Sequence, residues 1–391
     1  MTQPSASVYL HIPWCLARCP YCDFNTYAAR EWPEDEYRAA LTAELAWFAE
    51  RAPFNDVTVG TVFLGGGTPS LFAPDTIAAL LEALNEQFPT APDLEVTLEA
   101  NPGTVDRDRL AGLRDAGVNR LSIGIQSFQP RLLEALGRRH SVDESRAALD
   151  AARAAGFENL SLDLMYATPT QTLEELEADL AEAITIAPDH VSAYALIFEP
   201  GTPLTRDLQA GKIERATDEL EAQMFETVRT RLSGAGYAAY EISNHAQPGR
   251  EARHNQAYWR GGPYLGVGAG AHSFSPAAAP MANDAEYGVR WQNVRDPAKY
   301  RDAVTATGHA VDEHESLTRT QAMGEFCWLA LRETRGLAAA EFESRFGAAL
   351  GTTFPHVADL QTEGLLEDQE ARLTLSPRGL LIADTIFASF F

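Results

Sequence analysis

Residues 15–22 read Cys15-Leu16-Ala17-Arg18-Cys19-Pro20-Tyr21-Cys22, and this C-x3-C-x2-C spacing constrains the chain more than any other feature. These are three of the four cysteines in 391 residues. Thiolates hold iron–sulfur clusters, and most cubane clusters take four of them. Three clustered thiolates leave one iron of a [4Fe–4S] cluster open to an exchangeable ligand. A disulfide would strand one of the three, and a structural zinc site takes four protein ligands. A reduced, cytoplasmic setting fits thiols kept free for iron. The fourth, Cys327, lies in the apolar run Phe326-Cys327-Trp328-Leu329-Ala330-Leu331 and reads as a buried core thiol.

Thirty-one Lys and Arg against 55 Asp and Glu give a net charge of −24, a field that repels phosphate backbones and excludes nucleic-acid binding through a basic face. The acidity is spread along the chain, as solubility requires. No apolar run reaches the length of a membrane-spanning helix, and Met1 to Val8 lack the pattern of a signal peptide. With 45% hydrophobic residues the chain can bury a sizeable core, and its length suggests more than one domain.

Residues 7–11 predict a strand that feeds directly into the cysteine loop. Further strands are expected at 57–64, 94–99, 121–125, 160–165 and 191–196. Between them helical spacing recurs, first after Pro33 (Tyr37, Leu41, Leu45, Phe48) and then at Ile77, Leu80, Leu81 and Leu84. Further helices are expected at 107–116, 142–155 and 173–186. Six strands alternating with helices imply an α/β fold with a parallel sheet. In such folds the loops that follow the strands carry the ligand site. The polar candidates fall there repeatedly: the cysteines, Gly65-Gly66-Gly67-Thr68-Pro69, Glu99, Gln126 and Asp163. Three regions follow: a core over 1–240, a loop-rich connection over 241–315 dense in Gly, Pro and Ala, and a C-terminal module over 316–391. The last reads as helix, helix and a hairpin at 364–375, a winged-helix-like pattern without a basic recognition helix.

Consecutive glycines at 65–67 let a backbone approach a ligand closely, where a plain turn needs one or two. Gly266-Val267-Gly268-Ala269-Gly270 lacks the spacing and the strand–helix context of a dinucleotide site. Glu99 and Asp163 interrupt apolar strands, where an unpaired carboxylate is costly, so each needs a partner. Arg138 adjoins Arg139, and either one also reads as a helix-end charge. His254-Asn255-Gln256-Ala257-Tyr258-Trp259 joins an imidazole and two aromatics in what reads as a loop. Read from the residues alone, it is either a ligand-binding segment or a histidine bonded to its own loop.

The cysteine motif, with Tyr21 just before its last thiol, resembles the radical SAM superfamily, in which the open iron takes S-adenosylmethionine. Tyr9-Leu10-His11-Ile12-Pro13-Trp14-Cys15, Gly65-Gly66-Gly67-Thr68-Pro69, Ile125-Gln126-Ser127-Phe128 and Asp163-Leu164-Met165-Tyr166 resemble, within it, the oxygen-independent coproporphyrinogen III oxidase family over nearly the whole chain. The resemblance implies a partial (β/α)6 barrel with a small C-terminal winged-helix-like domain. It assigns Cys15, Cys19 and Cys22 to the cluster and Tyr9, Gly66, Gly67, Thr68, Glu99, Gln126, Arg138 and Asp163 to S-adenosylmethionine. Oxidases of that family carry a fourth cysteine two residues after the third, where this chain has Phe24, and a long extension before the cluster, where it has fourteen residues. The chain is closer to the HemW branch of heme chaperones, whose H-N-x-x-Y-W motif is matched by His254, Asn255, Tyr258 and Trp259. That branch implies heme bound by a cytoplasmic protein and passed to an acceptor, a membrane respiratory protein being one class. His254 is then the first candidate for the heme iron and His272 the second. The rival implied by the wider family is radical oxidative decarboxylation of coproporphyrinogen III.

Overall fold

The computed structural model describes residues 5–276, 279, 282 and 286–391; parts of the first and of the connecting region, at 1–4 and within 277–285, lie outside them. The alternation read from the sequence produces β1 (Ser5–Ile12), α1 (Glu34–Ala49), β2 (Thr58–Gly66), α2 (Pro74–Gln87), β3 (Thr90–Ala100) and α3 (Arg107–Asp115). It continues through β4 (Arg120–Gln126), α4 (Val142–Ala154), β5 (Leu160–Tyr166), α5 (Leu173–Ile186) and β6 (His190–Ala195). All six strands are parallel and lie side by side in chain order. Two of the helices start where the local chemistry says they should. Ser141 with Glu144 and Thr172 with Glu175 each form a reciprocal capping box, which satisfies helix N–H groups that have no partner within the helix.

Side chains alternate between the two faces of a strand, and here the alternation separates function from packing. Val8, Leu10, Val62, Leu64, Leu98, Ile123, Leu162 and Val191 join one hydrophobic cluster with the inner faces of the helices. The intervening positions are small and polar: Ser7, Thr61, Thr97, Ser122, Ser161 and Ser192 are all buried. The six strands therefore present a polar face, with Tyr9, Glu99 and Asp163 toward the ends that lead into the loops.

The expectation of a loop-rich connection is corrected by the structure. After α6 (Asp218–Gly234) come β7 (Ala238–Ala239), β8 (Asn244–Ala246), α7 (Arg253–Trp259), β9 (Tyr264–Val267), β10 (His272–Ser275) and β11 (Val289–Asn293), then α8 (Pro297–Thr307) and β12 (Val311–Ser316). One sheet runs β12-β11-β10-β9-β1-β2-β3-β4-β5-β6-β8-β7. The free side of β1 is taken by β9, in parallel, rather than by β6, so the parallel ring stays open. The strands from β7 onward are two to six residues long, too short for periodicity to stand out among glycines and alanines.

Residues from Leu317 onward build a second hydrophobic cluster that contains Cys327. It packs α9 (Arg319–Arg332) and shorter helices against β13 (Leu337–Ala338), β14 (Leu366–Gln369) and β15 (Arg372–Leu375), joined in the order β13-β15-β14. Cys327 is fully buried and unpaired, and burial raises its thiol pKa well above the ordinary range.

Candidate functional site

β1 delivers the chain into the cysteine loop, and a two-residue parallel ladder, Trp14–Cys15 against Tyr27–Ala28, closes the loop at its base. Within it the Cys22 N–H donates to the Cys19 carbonyl at 3.2 Å and the Thr26 N–H to the Phe24 carbonyl at 2.7 Å. The three thiols are free and partly exposed. Polar atoms stand beside each: Thr68 Oγ1 at 3.5 Å from Cys15 Sγ, Arg138 Nη1 at 3.6 Å from Cys19 Sγ and Thr26 Oγ1 at 3.8 Å from Cys22 Sγ. Burial raises the Cys15 and Cys22 thiols, and the threonine hydroxyls oppose that rise. Among the described residues no three His, Cys, Asp or Glu side chains converge as a site for one metal ion. A cubane does not require such convergence, because each thiolate takes a different iron. Three soft donors, each with a hydrogen-bond donor at its sulfur, fit that group.

The glycines at 65–67 lie flush against the cysteine strand. The Gly67 N–H donates to the Ile12 carbonyl at 2.8 Å and the Thr68 N–H to the Trp14 carbonyl at 2.9 Å. A Cβ at Gly67 would stand 2.5 Å from the Trp14 oxygen, and one at Gly66, whose φ is +111°, 2.4 Å from the His11 ring. The close approach expected of these glycines is present, and its partner is the protein's own chain. The same holds at the other glycine run, where a Cβ at Gly268 would meet the His11 carbonyl at 2.6 Å and one at Gly270 the Asn25 amide at 2.6 Å.

The other predicted residues fall into two groups. Arg138 donates to the Gly124 carbonyl at 2.7 Å and to Asn101 Oδ1, and so reaches Cys19 from the end of β4. Gln126 follows a bulge in the β4–β5 pairing with φ at +69°, a conformation that non-glycine residues adopt at a cost. Asn101 stood in the Glu99-Ala-Asn-Pro stretch without an assigned role: its Nδ2 donates to Thr68 Oγ1 at 2.8 Å, which links the glycine loop to Arg138. The Asn-Pro step directly after β3 was its only signal. In the second group, the Gly66 N–H donates to Glu99 Oε2 at 3.1 Å, and Ser122 Oγ donates to Asp163 at 3.0 Å. Burial raises both carboxyls, Glu99 to about 7 with Asp163 adding to the rise. The partners foreseen for these carboxylates are thus a backbone amide and a serine.

A cavity of about 570 Å³ opens beside these residues. Tyr9, His11, Gly66 and Glu99 line it from the parallel strands, Asp23 and Phe24 from the cysteine loop, and Trp328 and Leu329 from α9. A fourth wall is the face of the antiparallel strands. His272 pairs with Gln292 and Phe274 with Arg290, and Phe274 also pairs with Tyr264. All five line the cavity, while the intervening Ser273 and Trp291 are buried on the opposite face.

The placement of His254 corrects the expectation that it faces a ligand from a loop. It sits on α7 at 1% exposure, and it is not among the cavity residues. Its Nδ1 lies 2.8 Å from Thr61 Oγ1 and its Nε2 2.7 Å from the Tyr258 hydroxyl. Thr61 passes its own proton to Ser7 Oγ at 2.8 Å, so Nδ1–H donates to Thr61 and Nε2 accepts from Tyr258. Burial drives the imidazole down to about 3, and both ring nitrogens are taken. Tyr258 and Trp259, four and five residues on, do line the cavity. His272 is exposed on the cavity wall, and burial of its ring together with Arg295 and Arg290 lowers its pKa, which favours the neutral imidazole.

Comparison with known proteins identifies the family. Residues 9–183 match the radical SAM superfamily and residues 317–382 the HemN C-terminal domain. The chain is 36% identical over 386 residues to heme chaperone HemW of Bacillus subtilis, spanning 98% of each chain. It is 40% identical over 382 residues to heme chaperone HemW of Mycobacterium tuberculosis, spanning 97% of this chain and 93% of that one. Among solved structures, coproporphyrinogen III oxidase (HemN) of Escherichia coli overlays the whole chain and 90% of its own, with a TM-score of 0.82 at 25% identity. An α/β radical SAM fold with a small C-terminal module, and this similarity over nearly its full length, place the chain in the HemW family of heme chaperones within the radical SAM superfamily.

Proposed function

We propose that this chain binds heme in the 570 Å³ cavity and hands it to an acceptor protein, with a [4Fe–4S] cluster and exchangeable S-adenosylmethionine alongside. The observation that carries the reading is the sheet face of Tyr264, Phe274, His272, Gln292 and Arg290, which meets the cysteine loop across one cavity. Such a face offers a flat macrocycle aromatic contact together with a neutral imidazole for iron, and His272 is the iron ligand in this reading. His254 acts through Tyr258, whose ring it holds at the cavity wall.

Cys15, Cys19 and Cys22 would each hold one iron of the cluster, whose chemistry is one-electron transfer to the bound sulfonium. Tyr9, Gly66, Gly67 and Thr68 would bound S-adenosylmethionine from the first two strand ends, and Glu99, Gln126, Arg138 and Asp163 from the next three. On this reading residues 1–240 carry the cluster, 241–315 supply the heme platform, and 316–391 cover it. The protein would work in the cytoplasm; among the described residues no helix is long and apolar enough to cross a membrane. The acceptor is a separate protein, for which a membrane respiratory protein is one class.

The full-length overlay on coproporphyrinogen III oxidase favours one rival, oxidative decarboxylation of that porphyrinogen. Anaerobic reconstitution of the cluster followed by heme titration, with a parallel assay of coproporphyrinogen III conversion, separates the two. Stoichiometric heme binding without turnover is expected. Turnover without tight heme binding would sink the chaperone reading.

A further inference from the structure

The cavity's charges are arranged by side. Among the described residues its lining holds two cations, Arg290 and Arg295, both from the antiparallel side. Arg290 is already committed, with Nε 2.8 Å from Glu315 Oε2 and Nη1 2.7 Å from Glu325 Oε1. The guanidinium of Arg295 has no ion-pair partner among the described residues. Its backbone is nevertheless fixed, since its carbonyl accepts from Asn25 Nδ2 at 2.8 Å and from the Tyr27 hydroxyl at 3.2 Å. It lines the cavity together with His272 and His11. The neighbouring Asp296 carboxylate is occupied by the Ala298 and Lys299 amides at the start of α8.

The remaining walls carry the opposite sign. Asp23 lines the cavity from the cysteine loop and Glu99 from β3, while Glu325 on α9 is already paired with Arg290. Alongside these carboxyls the lining includes the apolar Phe24, Trp328 and Leu329. A carboxylate brought to that side would lose water and meet like charge, with no free cation to replace the water.

We infer that this cavity selects tetrapyrroles whose carboxylates lie along one edge, with Arg295 taking a propionate, and discriminates against those with a carboxylate on every pyrrole. Heme meets the condition, because its propionates sit on adjacent pyrroles and its other edge carries vinyl and methyl groups. Coproheme, the iron complex of coproporphyrin III, does not. The inference rests on the reading of the cavity as the heme site and goes beyond it by naming what the site excludes.

The test titrates the anaerobically reconstituted protein with ferric heme, heme dimethyl ester and coproheme, followed by the Soret band. Heme is expected to bind roughly tenfold more tightly than either competitor, the size of one charge-assisted hydrogen bond. Arg295→Gln should bring heme down to the level of the diester and leave the diester unchanged, while Arg295→Lys restores most of the difference. Retained iron content and far-UV dichroism confirm that each variant is folded. Coproheme binding as tightly as heme, or an unchanged heme-to-diester ratio in Arg295→Gln, would overturn the inference while the chaperone reading stands. Failure of all three tetrapyrroles to bind would remove the heme site itself, and the inference with it.

Discussion

At the residue scale, one hydrogen-bonded histidine and one open histidine exchange the roles that the motif alone suggests. His254→Ala should leave the ligand-dependent shift of the Soret band in place, while His272→Ala abolishes it. The His254 variant should instead lose about 2–3 kcal/mol of stability in urea unfolding, because Thr61 and Tyr258 each lose a buried partner. A band shift lost with His254 and kept without His272 would reverse the assignment. Glu99 gives a second prediction. Its carboxyl is raised by burial from its ordinary 4.5 to about 7, so between those values the folded state binds more protons than the unfolded one. Stability from this group is therefore present at low pH and declines as pH rises through that window. Relative to wild type, Glu99→Gln should gain stability from the lower end of the window to the upper, which urea midpoints measured below and above it will check. An equal difference at both ends would show that the carboxyl is not perturbed.

At the scale of elements, the site depends on two ties between distant segments, one at the cysteine loop and one at α1. Gly67→Ala puts a Cβ 2.5 Å from the Trp14 carbonyl, so it should displace the loop and lower iron per protein after reconstitution. Gly103→Ala meets nothing nearer than 3.7 Å and serves as the neutral control. The second tie is Glu44, fully buried on α1. It accepts from the Tyr300 hydroxyl at 2.6 Å, Asn293 Nδ2 at 2.9 Å, the Gly268 N–H at 3.0 Å and the Ala310 N–H at 3.2 Å. Glu44→Ala would strand the buried donors at Gly268, Asn293, Tyr300 and Ala310 and should cost about 3–5 kcal/mol, read from chemical denaturation. Neither tie is read from the sequence: the helical spacing of α1 rests on Tyr37, Leu41, Leu45 and Phe48, and Gly268 reads as part of a failed nucleotide motif.

At the scale of the molecule, the cavity exists because the C-terminal module is held over the sheet. Arg260 reaches the buried Glu333 at 3.0 Å, Arg290 reaches Glu325 at 2.7 Å, and the Arg332 guanidinium stands 4.5 Å over the Trp259 ring. Glu333→Ala leaves Arg260 and Arg335 without that partner and should loosen α9 from the core, since breaking a buried pair costs more than the pair is worth. Faster amide exchange along 319–332 with unchanged exchange in the six parallel strands is the expected result; uniform exchange would show that the module is held by its apolar contacts alone.

The sequence by itself determined the local matters: the thiol spacing, the six strand–helix alternations, the capped helix starts and the hairpin at 364–375. Those signals are written within a turn or a strand of one another, where side-chain periodicity and cap chemistry act. It also located the polar residues at the strand ends, because an α/β topology puts loops there. Only the tertiary structure decided what each residue faces. His254 meets Thr61 across 193 residues, and Asn25 meets Arg295 across 270. Hydrogen-bond satisfaction and burial at such separations depend on where the sheet brings the segments, and that is why the motif histidine became a support and His272, on an alternating strand face, became the open imidazole.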